Sequence, residues 1–123
     1  MKPEIVIEPE SYYMESESLP DNGRFAFAYT IKITNKGTLS AQLISRYWRI
    51  LDVENGIKEV KGEGVVGQKP VLEPGETFEY TSSSVISAPV GTMEGHYHFI
   101  SEDGEAFDVV IPRFVLSIPR VIH

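Results

Sequence analysis

Apolar and polar side chains alternate with a period of two along most of this chain. The clearest run extends from Phe25 to Ile33, where every second residue is aromatic or isoleucine. A β-strand with one buried face produces this pattern, because its successive side chains point to opposite faces of the sheet. The same reasoning predicts further strands at 5–14, 41–53, 57–61, 77–86, 93–101 and 106–118. No segment shows the apolar stripe of a helix.

Short turn sequences separate the predicted strands. Asn-Gly, Asp-Gly or Pro-Gly pairs stand at 22–23, 55–56, 74–75 and 103–104. Asn-Gly and Asp-Gly supply the positive φ that tight hairpin turns require. We therefore predict hairpins between 41–53 and 57–61, and between 93–101 and 106–111.

About seven to eight short strands at this spacing predict an all-β fold, an antiparallel β-sandwich of the immunoglobulin or fibronectin type III kind. We expect one domain that spans residues 1–123. Trp48 lies an even number of residues from Ile44 and Ile50, so it shares their face of the predicted strand, and we expect it to anchor the core. Pro112 interrupts the last strand pattern. It cannot donate a ladder hydrogen bond, so it should lie at an edge, at a bulge or where the strand changes sheets.

Composition excludes several classes of function. The formal net charge of −7 disfavours binding to nucleic acid, which requires a surplus of Lys and Arg to neutralise phosphates. The chain has no cysteine, which excludes disulfides, thiolate catalysis and cysteine-based zinc sites. No apolar stretch approaches the ~18 residues that span a bilayer, and no signal-peptide core is present. We therefore expect no membrane insertion and a cytoplasmic location.

A glycine motif is the first candidate site. Gly62-x-Gly64-x-x-Gly67 matches the dinucleotide-binding fingerprint, but that fingerprint needs a helix after the glycines. Extended chain and Pro74-Gly75 follow here instead. Glycines still allow consecutive amides to form an anion nest without a helix, and Lys61 and Lys69 flank the loop. The open alternatives are a phosphate site and a structural bend, and we favour the bend.

A second candidate is Glu94-x-His96-x-His98, whose side chains lie on one face of a predicted strand. Carboxylate and imidazole are ligands for divalent metals. Residues two apart on a strand are about 6.5–7 Å apart, so one ion would need a partner strand to complete its shell. The simpler interpretation, which we favour, is a row of partly exposed polar residues.

Catalysis has little support in the sequence. The run Ser82 to Ser84 lacks a glycine-flanked nucleophile elbow, and no histidine can be assigned a carboxylate that would orient it. We therefore predict that the protein is not an enzyme.

Five stretches in unbroken order resemble the ApaG family, also called CorD in bacteria. They are Arg46-Tyr47-Trp48, Gly62-Glu63-Gly64-Val65-Val66-Gly67-Gln68, Leu72-x-Pro74-Gly75-Glu76-x-Phe78-x-Tyr80-x-Ser82, Pro89-x-Gly91-x-Met93-x-Gly95-x-Tyr97 and Phe107-Asp108-Val109-x-Ile111-Pro112-x-Phe114. The resemblance covers nearly the whole chain. Family members usually have histidine in place of Tyr47 and a serine-glycine pair in place of Ser82-Ser83.

The resemblance implies a fibronectin type III-like sandwich in a small bacterial cytoplasmic protein, associated with cobalt and magnesium resistance or efflux. It implies no established catalytic activity. Related domains in eukaryotic F-box proteins and in a polymerase-interacting protein look like protein-interaction modules. In the family the glycine motif, here Gly62, Gly64 and Gly67, has been suspected of binding nucleotide or pyrophosphate.

We therefore predict a non-catalytic domain, monomeric or homodimeric, that binds an unidentified partner protein through a sheet face or an edge strand. The first alternative is a phosphate or nucleotide sensor that uses the glycine loop. The second is a divalent-metal binder in cobalt and magnesium homeostasis. No cofactor is expected.

Overall fold

The computed structural model describes residues 4–54 and 56–119, most of which lie in strands. In chain order the strands are β1 (Ile5–Tyr13), β2 (Phe25–Asn35), β3 (Ala41–Asp52), β4 (Gly56–Glu63), β5 (Val71–Leu72), β6 (Thr77–Ile86), β7 (Val90–Ser101) and β8 (Ala106–Ser117). Two short 3-10 turns, Glu15–Glu17 and Pro20–Asn22, lie between β1 and β2. Among the described residues no helix has the length and apolar character to cross a membrane.

The strands form two antiparallel sheets, which confirms the predicted all-β sandwich. A three-stranded sheet has the order β1-β2-β6, and a five-stranded sheet has the order β4-β3-β7-β8 with β5 paired to β3. Both predicted hairpins are present, since β3 pairs with β4 and β7 pairs with β8. Gly56 and Gly104 in their turns have φ of +83° and +86°, the left-handed conformation that such turns require. Asn55, the neighbour of Gly56, lies outside the described residues.

Pro112 lies on β8, the outermost strand of the five-stranded sheet. The register of β7 and β8 shifts between Met93, which faces Phe114, and Gly95, which faces Ile111. Pro112 falls inside this irregularity, so its missing N–H interrupts no regular ladder. The structure thus confirms two of its predicted positions, the edge and the bulge.

The core lies between the sheets and centres on an aromatic cluster. Trp48 is only 2% exposed, which confirms it as a core residue. Its ring lies edge-on to those of Tyr29, Tyr97 and Phe114, with ring centroids 5.5, 6.3 and 5.9 Å away. Aromatic pairs favour this arrangement, because it brings a positive ring edge to a negative ring face. Tyr29 belongs to β2, so the cluster joins the two sheets.

A buried asparagine fixes one end of the sandwich. Asn35 is 0% exposed, and its Nδ2 donates hydrogen bonds of 2.8 and 2.9 Å to the carbonyls of Leu39 and Leu72. Its Oδ1 accepts a 2.9 Å hydrogen bond from the N–H of Gly37. Because both donors and the acceptor of the amide are satisfied, its burial carries no unpaired polar group. The side chain thereby ties β5 to the turn after β2.

The two sides of the sandwich differ. On one side β1 lies against β8, and Ser11 Oγ donates a 2.7 Å hydrogen bond to the carbonyl of Val115. On the other side the outermost strands are β6 and β4, and no backbone pairing joins them in the part of the chain described. The sandwich is therefore closed at β1 and β8 and open at β4 and β6.

We expect Trp48→Ala to destabilise the domain by about 3–5 kcal/mol, because it leaves a cavity among three aromatic rings. Denaturant unfolding measures the loss. Tyr12→Ala is the matched control, since Tyr12 is 48% exposed and its removal opens no core cavity. A loss for Trp48→Ala no larger than that of the control would contradict the core assignment.

Candidate functional site

The glycine motif forms a tight turn rather than the start of a helix. Gly62 lies in β4, and beyond it Val65 and Gln68 face each other as an antiparallel pair. The two residues between them, Val66 and Gly67, have φ of +42° and +78°. Positive φ at both central positions is the signature of a type I′ turn. We call residues 64–68 the glycine turn.

The backbone amides of the glycine turn already donate hydrogen bonds within the protein. Gly64 has φ +61°, and its N–H donates a 2.8 Å hydrogen bond to the carbonyl of Ile44. Val65 and Gln68 exchange N–H to carbonyl hydrogen bonds of 2.8 Å in both directions. An anion nest needs successive amides that point at one ligand. Because three amides of the turn donate to carbonyls, the turn is poorly suited to be such a nest.

The other predicted phosphate ligands do not converge on the turn. Lys69 Nζ forms a 2.8 Å ion pair with Glu63, and the hydrogen bond from Lys69 lowers the pKa of that carboxyl. Lys61 Nζ lies 5.8 Å from the centroid of the Tyr47 ring. Gly62 allows the guanidinium of Arg46 to pack closely against β4, since a Cβ at Gly62 would lie 2.6 Å from Nη2 of Arg46. The predicted residues are thus divided among separate contacts.

Arg46 is a functional candidate that was not among the predicted site residues, although it belongs to the family-like stretch Arg46-Tyr47-Trp48. It is half-buried on the inner face of β3, with the same parity as Trp48. Its Nη1 donates hydrogen bonds of 3.0 and 2.8 Å to the carbonyls of Glu63 and Gly64. No described residue accepts from its Nε or Nη2, and no described carboxylate pairs with it. The guanidinium therefore keeps strong donors for a ligand.

A groove runs along the open side of the sandwich, between β4 and β6. It consists of three adjoining cavities with volumes of about 260, 350 and 320 Å³. The first begins at the glycine turn, the second lies over Trp48, and the third ends beside Gly23. Arg46 lines both of the first two, and Lys58 lines both of the last two. We call this continuous feature the β4–β6 groove.

The middle of the groove carries hydrogen-bond donors without partners. Ser82 and Ser84 line it from β6, and their hydroxyls form no hydrogen bond with any described residue. The indole N–H of Trp48 is buried and also lacks an acceptor within the described residues. Lys58 is exposed and forms no ion pair there. No carboxylate of residues 4–54 and 56–119 lines this central cavity, so its character is that of an anion-binding surface.

The predicted metal ligands lie side by side on the outer face of β7, but each has its own partner. Glu94 accepts a 3.3 Å hydrogen bond from Arg113, and His98 Nδ1 lies 2.8 Å from Asp108 Oδ1. His96 stacks on the ring of a β3 tyrosine, with 5.0 Å between centroids. Across 4–54 and 56–119, no three carboxylates and imidazoles come together in a group that holds a metal ion. Metal binding stays a prediction, and this arrangement does not support it.

A serine, a histidine and an aspartate lie in one row across three strands of the same face. Ser45 of β3 faces His98 of β7, which faces Asp108 of β8. The expectation that no histidine has an orienting carboxylate was therefore wrong, since the register of the β7–β8 hairpin places Asp108 beside His98. A serine nucleophile also needs a hydrogen bond to the imidazole and an oxyanion hole. No described residue hydrogen-bonds the Ser45 hydroxyl, so the row lacks the geometry of a hydrolase site.

The pattern of the ApaG domain family matches residues 15–101. The chain belongs to the ApaG domain family. The curated Protein ApaG of Thiobacillus denitrificans is 52% identical over 99% of this chain and 96% of its own length. The Protein ApaG of Pectobacterium carotovorum is 50% identical over 98% of this chain and 97% of its own length.

Solved structures share the ApaG fold. A Bordetella pertussis protein, whose crystal structure was solved under the name ApaA, has a TM-score of 0.93 and 46% identity, with 97% of each chain covered. A second structure, from a structural genomics consortium, has a TM-score of 0.90 and 39% identity and covers 97% of this chain and 90% of that chain. The resemblance drawn from the motif order is thereby confirmed.

We expect Gly64→Ala to destabilise this ApaG domain more than Gly67→Ala does. Both glycines have positive φ, so alanine at either position costs about 1–2 kcal/mol in backbone strain. At Gly64 a Cβ would also lie 2.2 Å from the carbonyl oxygen of Gln68, whereas at Gly67 it meets nothing within 4 Å. Denaturant unfolding of both variants measures the difference. Equal losses would contradict the close packing of the glycine turn.

Proposed function

We propose that this ApaG domain is a non-catalytic module that binds a partner protein by strand addition at its open side. The exposed edge of β6 carries the proposal. In the described chain β6 pairs only with β2, over Thr77–Ile86 and without a register shift. The other edge of β6 therefore presents backbone N–H and C=O groups, which are the template that an added strand uses.

The β6 strand lacks the features that protect edge strands from pairing. Such features are proline, bulges, lysine and inward-pointing charges. On the edges of the five-stranded sheet, β8 has Pro112 and a bulge, and β4 has Lys58 and Lys61. In contrast, the sequence of β6 contains no proline and no basic residue, and its one acidic residue is Glu79. Of the two strands on the open side, β6 is therefore the better suited to pairing with a partner.

In this proposal the bound partner, rather than the ApaG domain itself, accounts for the association of the family with cobalt and magnesium resistance or efflux. Each predicted metal ligand of the ApaG domain contacts another side chain. A domain that influences ion transport by binding another protein needs no metal site of its own. The expected setting is the cytoplasm, as the resemblance implies, with the chain monomeric or homodimeric.

Photo-crosslinking tests the proposal at the residues concerned. A photoreactive amino acid at Val85, which is 43% exposed and lines the groove, should capture a partner in extract of the source cells. The same amino acid at Glu8, exposed on the outer face of β1, is the control and should capture little. Mass spectrometry identifies the product. Absence of capture at Val85, or equal capture of the same protein at Glu8, would contradict binding at the open side.

The pyrophosphate alternative makes a separate prediction. Because amides of the glycine turn donate to carbonyls and Lys69 is paired with Glu63, we expect no pyrophosphate affinity that depends on Lys61 and Lys69. Calorimetry compares the parent with the double variant Lys61→Ala, Lys69→Ala at two salt concentrations. Binding that weakens both with salt and in the double variant would favour a phosphate sensor.

A further inference from the structure

We infer that the β4–β6 groove selects an extended partner segment with an acidic side chain, and that Arg46 and Lys58 bind its carboxylate. The inference rests on the proposed function and adds the chemistry of the partner to it. The segment pairs with the free edge of β6 and becomes the fourth strand of the smaller sheet. Its alternate side chains then enter the groove.

The register of β6 determines which side chains of an added strand point inward. Directly opposite residues of adjacent antiparallel strands project to the same face of the sheet. Ser82 and Ser84 line the groove, so residues opposite them on the added strand also project into it. Other inner positions of β6 hold large residues, Tyr80 and Ile86. The two small serines therefore leave space for a partner side chain above Arg46.

Charge in the groove favours a carboxylate. Among the described residues, the central cavity is lined by two cations, Arg46 and Lys58, and by no acid, although the whole chain has a net charge of −7. Nε and Nη2 of Arg46 lie on one edge of the guanidinium, where a carboxylate accepts two parallel hydrogen bonds. Glu63 lies at the glycine-turn end, where Lys69 pairs with it, and Asp52 lines the cavity at the opposite end. These carboxylates lie at the ends of the groove, and neither lines its central cavity.

The indole of Trp48 is a second and independent observation. The residue is 2% exposed and lines the groove, and no described residue accepts its N–H. A buried donor without an acceptor is unfavourable. An acceptor brought by the ligand, either a carboxylate oxygen or a water that the ligand holds, removes this penalty. Trp48 and Arg46 thus both present donors that an acceptor on the ligand satisfies, and the charge of Arg46 favours an anionic one.

A defined peptide tests the inference. The probe is an acetylated and amidated pentapeptide of alternating valine and threonine with a central glutamate, titrated to millimolar concentration into the full chain. Amide NMR shifts should change along β6 from Ser82 to Val85. The matched glutamine peptide should bind about tenfold more weakly, because charge-assisted hydrogen bonds are lost. Equal affinities, no binding, or shifts confined to other strands would overturn the inference.

Variants of the chain assign the carboxylate to the groove. Arg46→Gln is the direct variant, but Arg46 also holds the carbonyls of the glycine turn, so its replacement can loosen the fold. Lys58 is exposed and unpaired in the described structure, so Lys58→Glu should keep the melting temperature and lose most peptide affinity. Lys36→Glu makes the same change in net charge at an exposed position outside the groove. This control should bind the peptide as the parent does, and equal binding by Lys58→Glu would contradict the inference.

Free anions and a second copy of the chain are the competing occupants. Acetate and inorganic phosphate, at matched ionic strength, should shift the groove amides less than the glutamate peptide does. If they cause the same shifts and compete fully with the peptide, the groove is a small-anion site and the inference falls. If the chain forms a dimer that Lys58→Glu dissociates, a second copy of the chain occupies the groove, and the inference is likewise overturned. Capture from Val85 that survives Lys58→Glu would leave the proposed function standing and overturn only the acid selectivity.

Discussion

The width of the smaller sheet is the constraint on which this ApaG structure depends. Its three strands lie over the inner face of β4-β3-β7-β8. Ser11 fixes β1 against β8, so the width that the smaller sheet cannot cover falls at β4. The inner positions of β4 are accordingly Lys58, Val60 and Gly62, none of them fully buried. A groove with one free strand edge follows from the unequal widths of the two sheets.

Arg46 links this groove to the glycine turn. Gly62 leaves room for the guanidinium, whose Nη1 donates to the carbonyls of Glu63 and Gly64. Gly64 then packs against Gln68, where no Cβ fits. The glycines that match a nucleotide-binding fingerprint thus have a structural explanation at each close contact. They let β4 end in a tight turn and hold an arginine at the mouth of the groove, which is a route to ligand binding that differs from an amide nest.

The sequence predicted all the long strands, both hairpins and the burial of Trp48, because each depends on alternation or on a turn dipeptide that is local in the chain. The two-residue strand β5 was not predicted. Buried Asn35 resembled an ordinary turn residue, since the carbonyl of Leu72 that it binds is distant in sequence. The pairing of His98 with Asp108 likewise depends on strand register. A signal for the groove was present in the sequence. Arg46 lies on the same inward face of β3 as Trp48, yet only the tertiary arrangement shows that no described acid forms an ion pair with it.

In the proposed complex, the bound partner supplies an acceptor for the buried indole N–H of Trp48, which has none among the described residues. The chain has a single tryptophan, so its indole N–H gives one identifiable signal in a proton–nitrogen correlation spectrum. We expect this signal, in the free ApaG domain, at the upfield position of an indole without a hydrogen-bond acceptor. It should move downfield when the partner captured at the open side binds. A free-state signal already at the hydrogen-bonded position, and unchanged when the partner binds, would contradict the account.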